Sequence, residues 1–327
     1  MTCPGADGKR TVLKVEKRAA RRKSLWLGMA LVAVLLVGSV GASAQERGQY
    51  IPGFRGLNSG FQAPPGFTYA NYFIWYPSNR VNDRHGDEAI ADIDLDLLVD
   101  FNVFAYTTKA KFLGATYGFL AAVPISNTSI GLQRVGQGIE TVGLADIYVE
   151  PINLGWSTPN WHVYAAYGFV APTGKFDSDG TDTTTTDYWG HEITLAATRT
   201  LDKKKLWQLS MSSVWEIHQN KRHEDVRVGN NVTVEYGVGR TWVHNQGQRL
   251  IQLGAVGYAE FQLNNDSGAD VTPLNQGAND RVFAFGPEFG VIWPVKKFNF
   301  LVRVLPEFGA RSRTSGLTFV AVVGKTF

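Results

Sequence analysis

The sequence predicts an all-β protein, a transmembrane antiparallel β-barrel of about 12 strands behind a cleaved signal peptide. Three observations carry this expectation. The chain opens on an export signal and has no later apolar run long enough for a spanning helix. The remainder tiles into short segments of alternating polarity. The connectors between those segments alternate in length, with tryptophans at the segment ends.

Residues 1–44 read as the signal. Lys17, Arg18, Arg21, Arg22 and Lys23 form a basic lead, Leu25 to Val37 an apolar run, and Ala42-Ser43-Ala44 a small-residue site, so cleavage is expected between Ala44 and Gln45. The apolar run is shorter than the roughly 20 residues a spanning helix needs, which argues against a permanent anchor. Removing the signal takes eight of the 32 basic and two of the 29 acidic residues, leaving 24 against 27. The basic character of the whole chain therefore lies in the signal and gives no footing for nucleic acid. Cys3 is lost as well, so neither a disulfide framework nor a lipid-bearing cysteine remains.

Residues 66–327 are expected to form the barrel. A membrane strand shows about ten residues with an apolar set facing lipid and a polar or small set facing the lumen. Phe67 to Tyr76 is the first, with Phe67, Tyr69, Phe73 and Trp75 on one face. In the second, Ile93, Leu95, Leu97, Val99 and Phe101 alternate with Asp92, Asp94, Asp96, Leu98 and Asp100; as a helix this segment would scatter its carboxylates around every face. Ten more follow: Phe112 to Val123, Leu144 to Trp156, Trp161 to Ala171, His191 to Leu201, Leu206 to His218, Val232 to Val243, Leu250 to Leu263, Val282 to Trp293, Phe298 to Ala310 and Leu317 to Phe327.

The connectors test this tiling independently, because such barrels have short periplasmic turns and long extracellular loops. Short links (157–160, 202–205, 244–249, 294–297) alternate with long polar ones (124–143, 172–190, 219–231, 264–281). Two links fit less well: 102–111 is long for a turn unless the flanking strands extend into it, and 311–316 is short for a loop. Trp156, Trp161, Trp207, Trp242 and Trp293 abut short links, while Trp75, Trp189 and Trp215 lie towards long loops. Indole prefers the headgroup level, so these mark two lipid interfaces. The chain ends in Phe327, whose face is shared by Phe319, Ala321 and Val323. A terminal aromatic on an amphipathic last strand is similar to the signal read by the barrel assembly machinery, so that machinery and outer-membrane lipid are the expected partners.

With apolar residues facing lipid, the opposite parity faces the lumen. That places Asp94, Asp96, Asp100, Asp146, Glu150, Glu192, Glu216, Glu235, Glu260, Glu288 and Glu307 inward, with Arg303 as the clear inward base, and Leu98, Val214, Val256, Leu301 and Leu305 as inward apolar residues. Such an acidic lumen favours cations or neutral solutes over anions. The segment 45–65, rich in glycine and aromatics, is expected to fold into the lumen as a constriction, since a barrel of this size leaves space to fill. Glycines 237, 239, 254 and 257 are expected to relieve crowding where the wall bends.

No catalytic residue, metal site or cofactor is expected. Alternate carboxylates on a strand stand roughly 6–7 Å apart and do not converge on one ion. Some twelve-stranded barrels are lipases with a serine two residues after a histidine. Here none of the six histidines has one, and none shows the spacing of a zinc motif.

Several stretches carry a family resemblance: Pro64-Pro65-Gly66-Phe67 running into Tyr69-Ala70-Asn71-Tyr72, Gly143-Leu144-Ala145-Asp146-Ile147-Tyr148 with Pro151, and Ala171-Pro172-Thr173-Gly174-Lys175-Phe176. Gly190-His191-Glu192 and Gly237-Val238-Gly239 fit as well. They make the chain resemble the outer-membrane proteins of the phenol-degradation meta-pathway family. The resemblance implies a porin-like channel in a Gram-negative outer membrane that passes small hydrophobic or aromatic solutes. It implies no catalytic residues. The contrasting expectations are a structural or adhesive barrel without transport, and a barrel lipid hydrolase.

Overall fold

Twelve antiparallel strands close on themselves in a computed structural model that describes residues 48–90, 93–132, 137–178, 180–271, 277 and 279–327. The expected signal peptide, its cleavage site at Ala44 and Gln45, and Asp92 lie outside the described residues. The wall strands are β1 (Gly66–Ser78), β2 (Ile93–Phe112), β3 (Ala115–Leu132), β4 (Ile147–Ser157), β5 (Trp161–Ala171), β6 (Gly190–Thr200), β7 (Trp207–His218), β8 (Asn231–His244), β9 (Arg249–Gln262), β10 (Arg281–Trp293), β11 (Phe298–Arg311) and β12 (Leu317–Thr326). Each pairs with the next. The ring shuts where β1 meets β12, from Thr68 opposite Thr326 to Trp75 opposite Phe319. Closure leaves the ring of twelve strands without an edge, which a lipid environment demands because it offers no partner to an unpaired amide.

The doubtful link at 102–111 is strand. The β2–β3 connection is the two-residue turn Leu113-Gly114, with φ of 50° and 77°, matching the hairpin geometry in which both central residues are left-handed. Five turns lie at this end of the barrel and six connectors at the other, the last of them the short 312–316. In the β6–β7 turn, Asp202 accepts the N–H groups of Trp207 (2.7 Å) and Leu206 (2.8 Å), bonds that hold its carboxyl below the usual carboxylate range.

Two expected boundaries change. β3 continues to Leu132 and carries an extra strand, Gln137–Leu144, paired to its outer half. The expected strand Leu144 to Trp156 is therefore two strands, broken at Ala145-Asp146. Asp146 causes the break: buried, it accepts the N–H groups of Gly174 (3.0 Å) and Thr186 (2.7 Å) and so ties down the loop between β5 and β6. Along β4 the register shifts between Val149 and Ile152, around Pro151, which has no N–H to give the ladder.

Trp75, Trp161, Trp207 and Trp242 are exposed on the outer surface and Trp156 and Trp293 partly so, with Phe327 at the end of the outer face of β12.

The second strand overturns an expectation. Leu95, Leu97, Val99 and Phe101 point into the barrel, and Asp94, Asp96, Leu98 and Asp100 point out. Register fixes this: Val99 pairs with fully buried Ile74, while Trp75 on the outer face donates its indole N–H to Asp96 at 2.7 Å. Asp100 is held on the outside by Asn71 Nδ2. The physical reason lies inside. Ile51 and Phe54 of the lumen segment pack on Ile74, Val99, Val320 and Val322, so this part of the inner wall is apolar. Asp94 and Asp96 also sit at or beyond the level of Trp75, where β2 and β3 rise towards the loops.

Candidate functional site

The lumen is crossed lengthwise by residues 48–62. At the loop end, Gln49 Nε2 donates to Thr186 Oγ1 (2.5 Å) and to the Tyr188 carbonyl (2.9 Å). At the turn end, Phe61 stacks on His162 with ring centroids 3.8 Å apart, and Gln62 Nε2 donates to Asn153 Oδ1 (2.7 Å). Fourteen residues thus reach from one mouth to the other, and they are held by the wall residues that the alternation assigns inward.

Those wall groups are mainly carboxylates, and the segment meets them with backbone N–H groups. Glu216 accepts the amides of Gln49 (2.6 Å) and Tyr50 (2.8 Å). Glu235 accepts the Tyr50 hydroxyl (2.6 Å) and the amides of Gly53 (3.0 Å) and Arg55 (2.9 Å). Glu288 forms a buried ion pair with Arg303 at 2.5 Å, and Arg303 Nη1 donates to the carbonyls of Gly53 (2.9 Å) and Phe54 (3.0 Å). Charge-assisted bonds of this kind are the strong ones, and each is laid on a glycine-rich backbone that could not otherwise pair.

Leu57 is the apolar anchor. It is fully buried and seated on Gly237, Gly239 and Gly254 of β8 and β9; a Cβ on Gly239 would stand 2.6 Å from Leu57 Cδ1. These glycines therefore serve close approach of the segment rather than bending of the wall, while Gly257 lies outward under the Tyr236 ring. The Leu57 carbonyl accepts Gln208 Nε2 (3.0 Å) and Ser210 Oγ.

The remaining expected lumen groups divide by position. Glu150 lies on β4, bonded by Asn153 Nδ2 (2.8 Å) and the hydroxyls of Tyr148 (3.1 Å) and Tyr164. Above the Tyr164 ring sits the Arg55 guanidinium, 4.7 Å from its centroid. Glu192 is buried on β6, opposite Glu216 on β7. Nearer the loops, Glu260 pairs with Arg313 at 2.8 Å, and Glu307 accepts the hydroxyls of Tyr76 (2.6 Å) and Tyr258 (2.8 Å). Arg55 and Arg313 are the functional cations that alternation alone did not single out. Arg55 lies in a segment without periodicity and Arg313 in a connector, so neither had a face to assign.

Inner-wall polarity is accordingly uneven. β1, β2 and β12 present Tyr72, Ile74, Val99, Phe101, Val320 and Val322 around Phe54, which stacks on Tyr72 at 4.1 Å and meets Phe101 edge-on at 5.3 Å. Across the lumen, β7 and β8 present Ser212, Glu216, His218, Asn231, Thr233 and Glu235; Ser212 Oγ, Glu216 Oε2, Asn231 Oδ1 and Thr233 Oγ1 are buried without a hydrogen bond, and His218 Nε2 has the Glu216 carboxylate at 3.5 Å. Buried polar atoms of that kind are rare in closed cores.

A wall can carry so many charges inside and so many exposed apolar side chains outside only if its outer face meets lipid: the chain is a transmembrane β-barrel. It belongs to the family described as "Putative MetA-pathway of phenol degradation", whose profile matches residues 78–322. Its fold is similar to the COG4313 outer membrane channel from Pseudomonas putida F1, with a TM-score of 0.70 at 12% identity over 85% of this chain and 100% of that one. It is also similar to the β domain of the Bordetella autotransporter BrkA, with a TM-score of 0.51 at 12% identity over 81% of this chain and 100% of that one. No curated protein matches the chain.

Proposed function

We propose that this barrel is a passive outer-membrane channel for small hydrophobic or aromatic solutes, working without a cofactor or a chemical step. The observation that carries the reading is the two-sided lumen: an aromatic wall around Phe54, Tyr72 and Phe101 faces an acidic, incompletely paired row on β7 and β8. An aromatic solute gains dispersion and stacking from the first wall. The carboxylates of the second, Glu216 and Glu235, with Glu192 beside them on β6, favour cations and neutral molecules and disfavour anions.

Residues 48–62 are the constriction between the two walls in this reading, and the exported chain begins at Gln45. Trp75, Trp156, Trp161, Trp207, Trp242 and Trp293 anchor the wall at the two lipid interfaces, and Phe327 is the feature presented to the assembly machinery. The test is uptake of neutral aromatics, aromatic acids and long-chain lipids by cells with and without the protein. Neutral aromatics should enter faster with it, and identical uptake of all three classes would overturn the reading.

The many bonds along 48–62 favour a second reading, a plugged structural barrel without transport. Swelling of proteoliposomes in neutral solutes separates the two, since a plugged barrel leaves them unswollen.

A further inference from the structure

We propose that the turn end of the barrel binds anionic glycerophospholipid, through an outward-facing arc of arginine and tryptophan on β5 to β8 backed by the β6–β7 turn. The proposal does not depend on what the lumen conducts.

Two arginines lie on the outer surface of the wall in this arc. Arg199 on β6 is opposite Trp161 on β5, its guanidinium 5.3 Å from the indole centroid. Arg240 on β8 is opposite Trp207 on β7 and sits between two indoles, 5.7 Å from Trp207 and 5.2 Å from Trp242. Among the described residues neither guanidinium has a carboxylate within ion-pair distance. Stacking holds each planar fork at the height of the indole ring but leaves its terminal N–H groups unused. Those N–H groups match the paired oxygens of a phosphate.

The height is that of a lipid headgroup. Indole settles at the boundary between hydrocarbon and water, and all three tryptophans are exposed at the ends of strands that meet in short turns. Just beyond them, Lys203, Lys204 and Lys205 are exposed in the β6–β7 turn, and Arg249 opens β9. The acid among these residues, Asp202, has one carboxylate oxygen committed to the amides of Leu206 and Trp207. Six cations against one engaged carboxylate select a headgroup with net negative charge over a zwitterionic one, whose own amine would be repelled.

The opposite end of the wall lacks this bias. There the outward charges are mixed, Asp94 and Asp96 beside Trp75 and Arg281 over the Phe283 ring opposite Arg311. An excess of basic charge among exposed indoles is therefore a property of the turn end. In the topology of these barrels that end faces the periplasmic leaflet, which is built of glycerophospholipid.

The experiment uses the full mature barrel in vesicles of phosphatidylethanolamine containing equal mole fractions of either brominated phosphatidylglycerol or brominated phosphatidylethanolamine, with tryptophan fluorescence as the readout. Brominated phosphatidylglycerol should quench more strongly, and high salt should remove most of the excess. The R199Q/R240Q variant should lose the excess, with folding verified by heat-modifiable gel mobility. If that variant does not fold, K203Q/K204Q/K205Q, which changes only an exposed turn, should reduce it by at least half. Equal quenching by the two lipids in the wild-type protein would overturn the proposal. So would an excess that survives in the folded variant.

Discussion

The two sides of the lumen wall are built from the same alternating strands and carry opposite chemistry. On β1, β2 and β12 the inward parity is apolar and aromatic and packs on Ile51 and Phe54. On β6, β7 and β8 it is acidic and hydroxylated, and it grips the backbone of the same segment through Glu216 and Glu235. A strand pattern therefore fixes which residues share a face, but not which face meets lipid. That choice depends on what the lumen contains.

Five perturbations would break or sharpen this contrast, the strongest first. Deleting residues 46–62 removes the element on which both walls converge, and single-channel conductance in planar bilayers should rise several-fold; unchanged conductance would show that the segment is no constriction. Glu235→Ala takes the acceptor from three donors of the segment, at about 1–3 kcal/mol each. Hydrogen exchange at Gly53 and Arg55 should accelerate accordingly, while the wall amides of β10 and β11 stay protected. A milder lesion is Phe54→Ala, which empties the aromatic side without touching the acidic one. Uptake of a neutral aromatic should then fall more than passage of a small sugar in liposome swelling, and an equal fall in both would remove the aromatic wall from selectivity. Smallest of all is Asp96→Asn. Its carboxylate is outside the barrel, so the cation-to-anion permeability ratio should be unaltered, whereas Glu216→Gln should lower it.

That last pair shows how far the sequence could be read. The number of strands, their order and the two tryptophan levels follow from local pattern, because each strand must satisfy the pleat and the lipid boundary independently of its neighbours. The facing of Glu150, Glu192, Glu216, Glu235, Glu260 and Glu288 was legible for the same reason, since a lipid-facing carboxylate is costly. On β2 the rule inverts. Its aspartates lie partly above the lipid boundary, where outward placement is cheap, and its leucines and valines meet an apolar patch contributed by Ile51 and Phe54. Nothing in residues 93–101 encodes that patch; it comes from a part of the chain forty residues earlier that has no periodicity of its own. The strand break at Asp146 was not legible for a related reason: its partners, Gly174 and Thr186, belong to a loop whose return path cannot be read from spacing.

The path of residues 48–66 bears on assembly order. β1 starts at the turn end, and the chain before it climbs back through the ring to the loop end. A rope lying inside a hoop has to be there before the hoop is fastened or else be pulled through it afterwards. The seam between β1 and β12 is the fastening, and Gly66 ties the rope directly to it, with Phe67 opposite Tyr106 on one side and Thr68 opposite Thr326 on the other. Wrapping costs less than threading, because the wall carboxylates can collect the segment's amides while the barrel is still an open sheet. The seam would then be the last part to form, closing around a strap already in place.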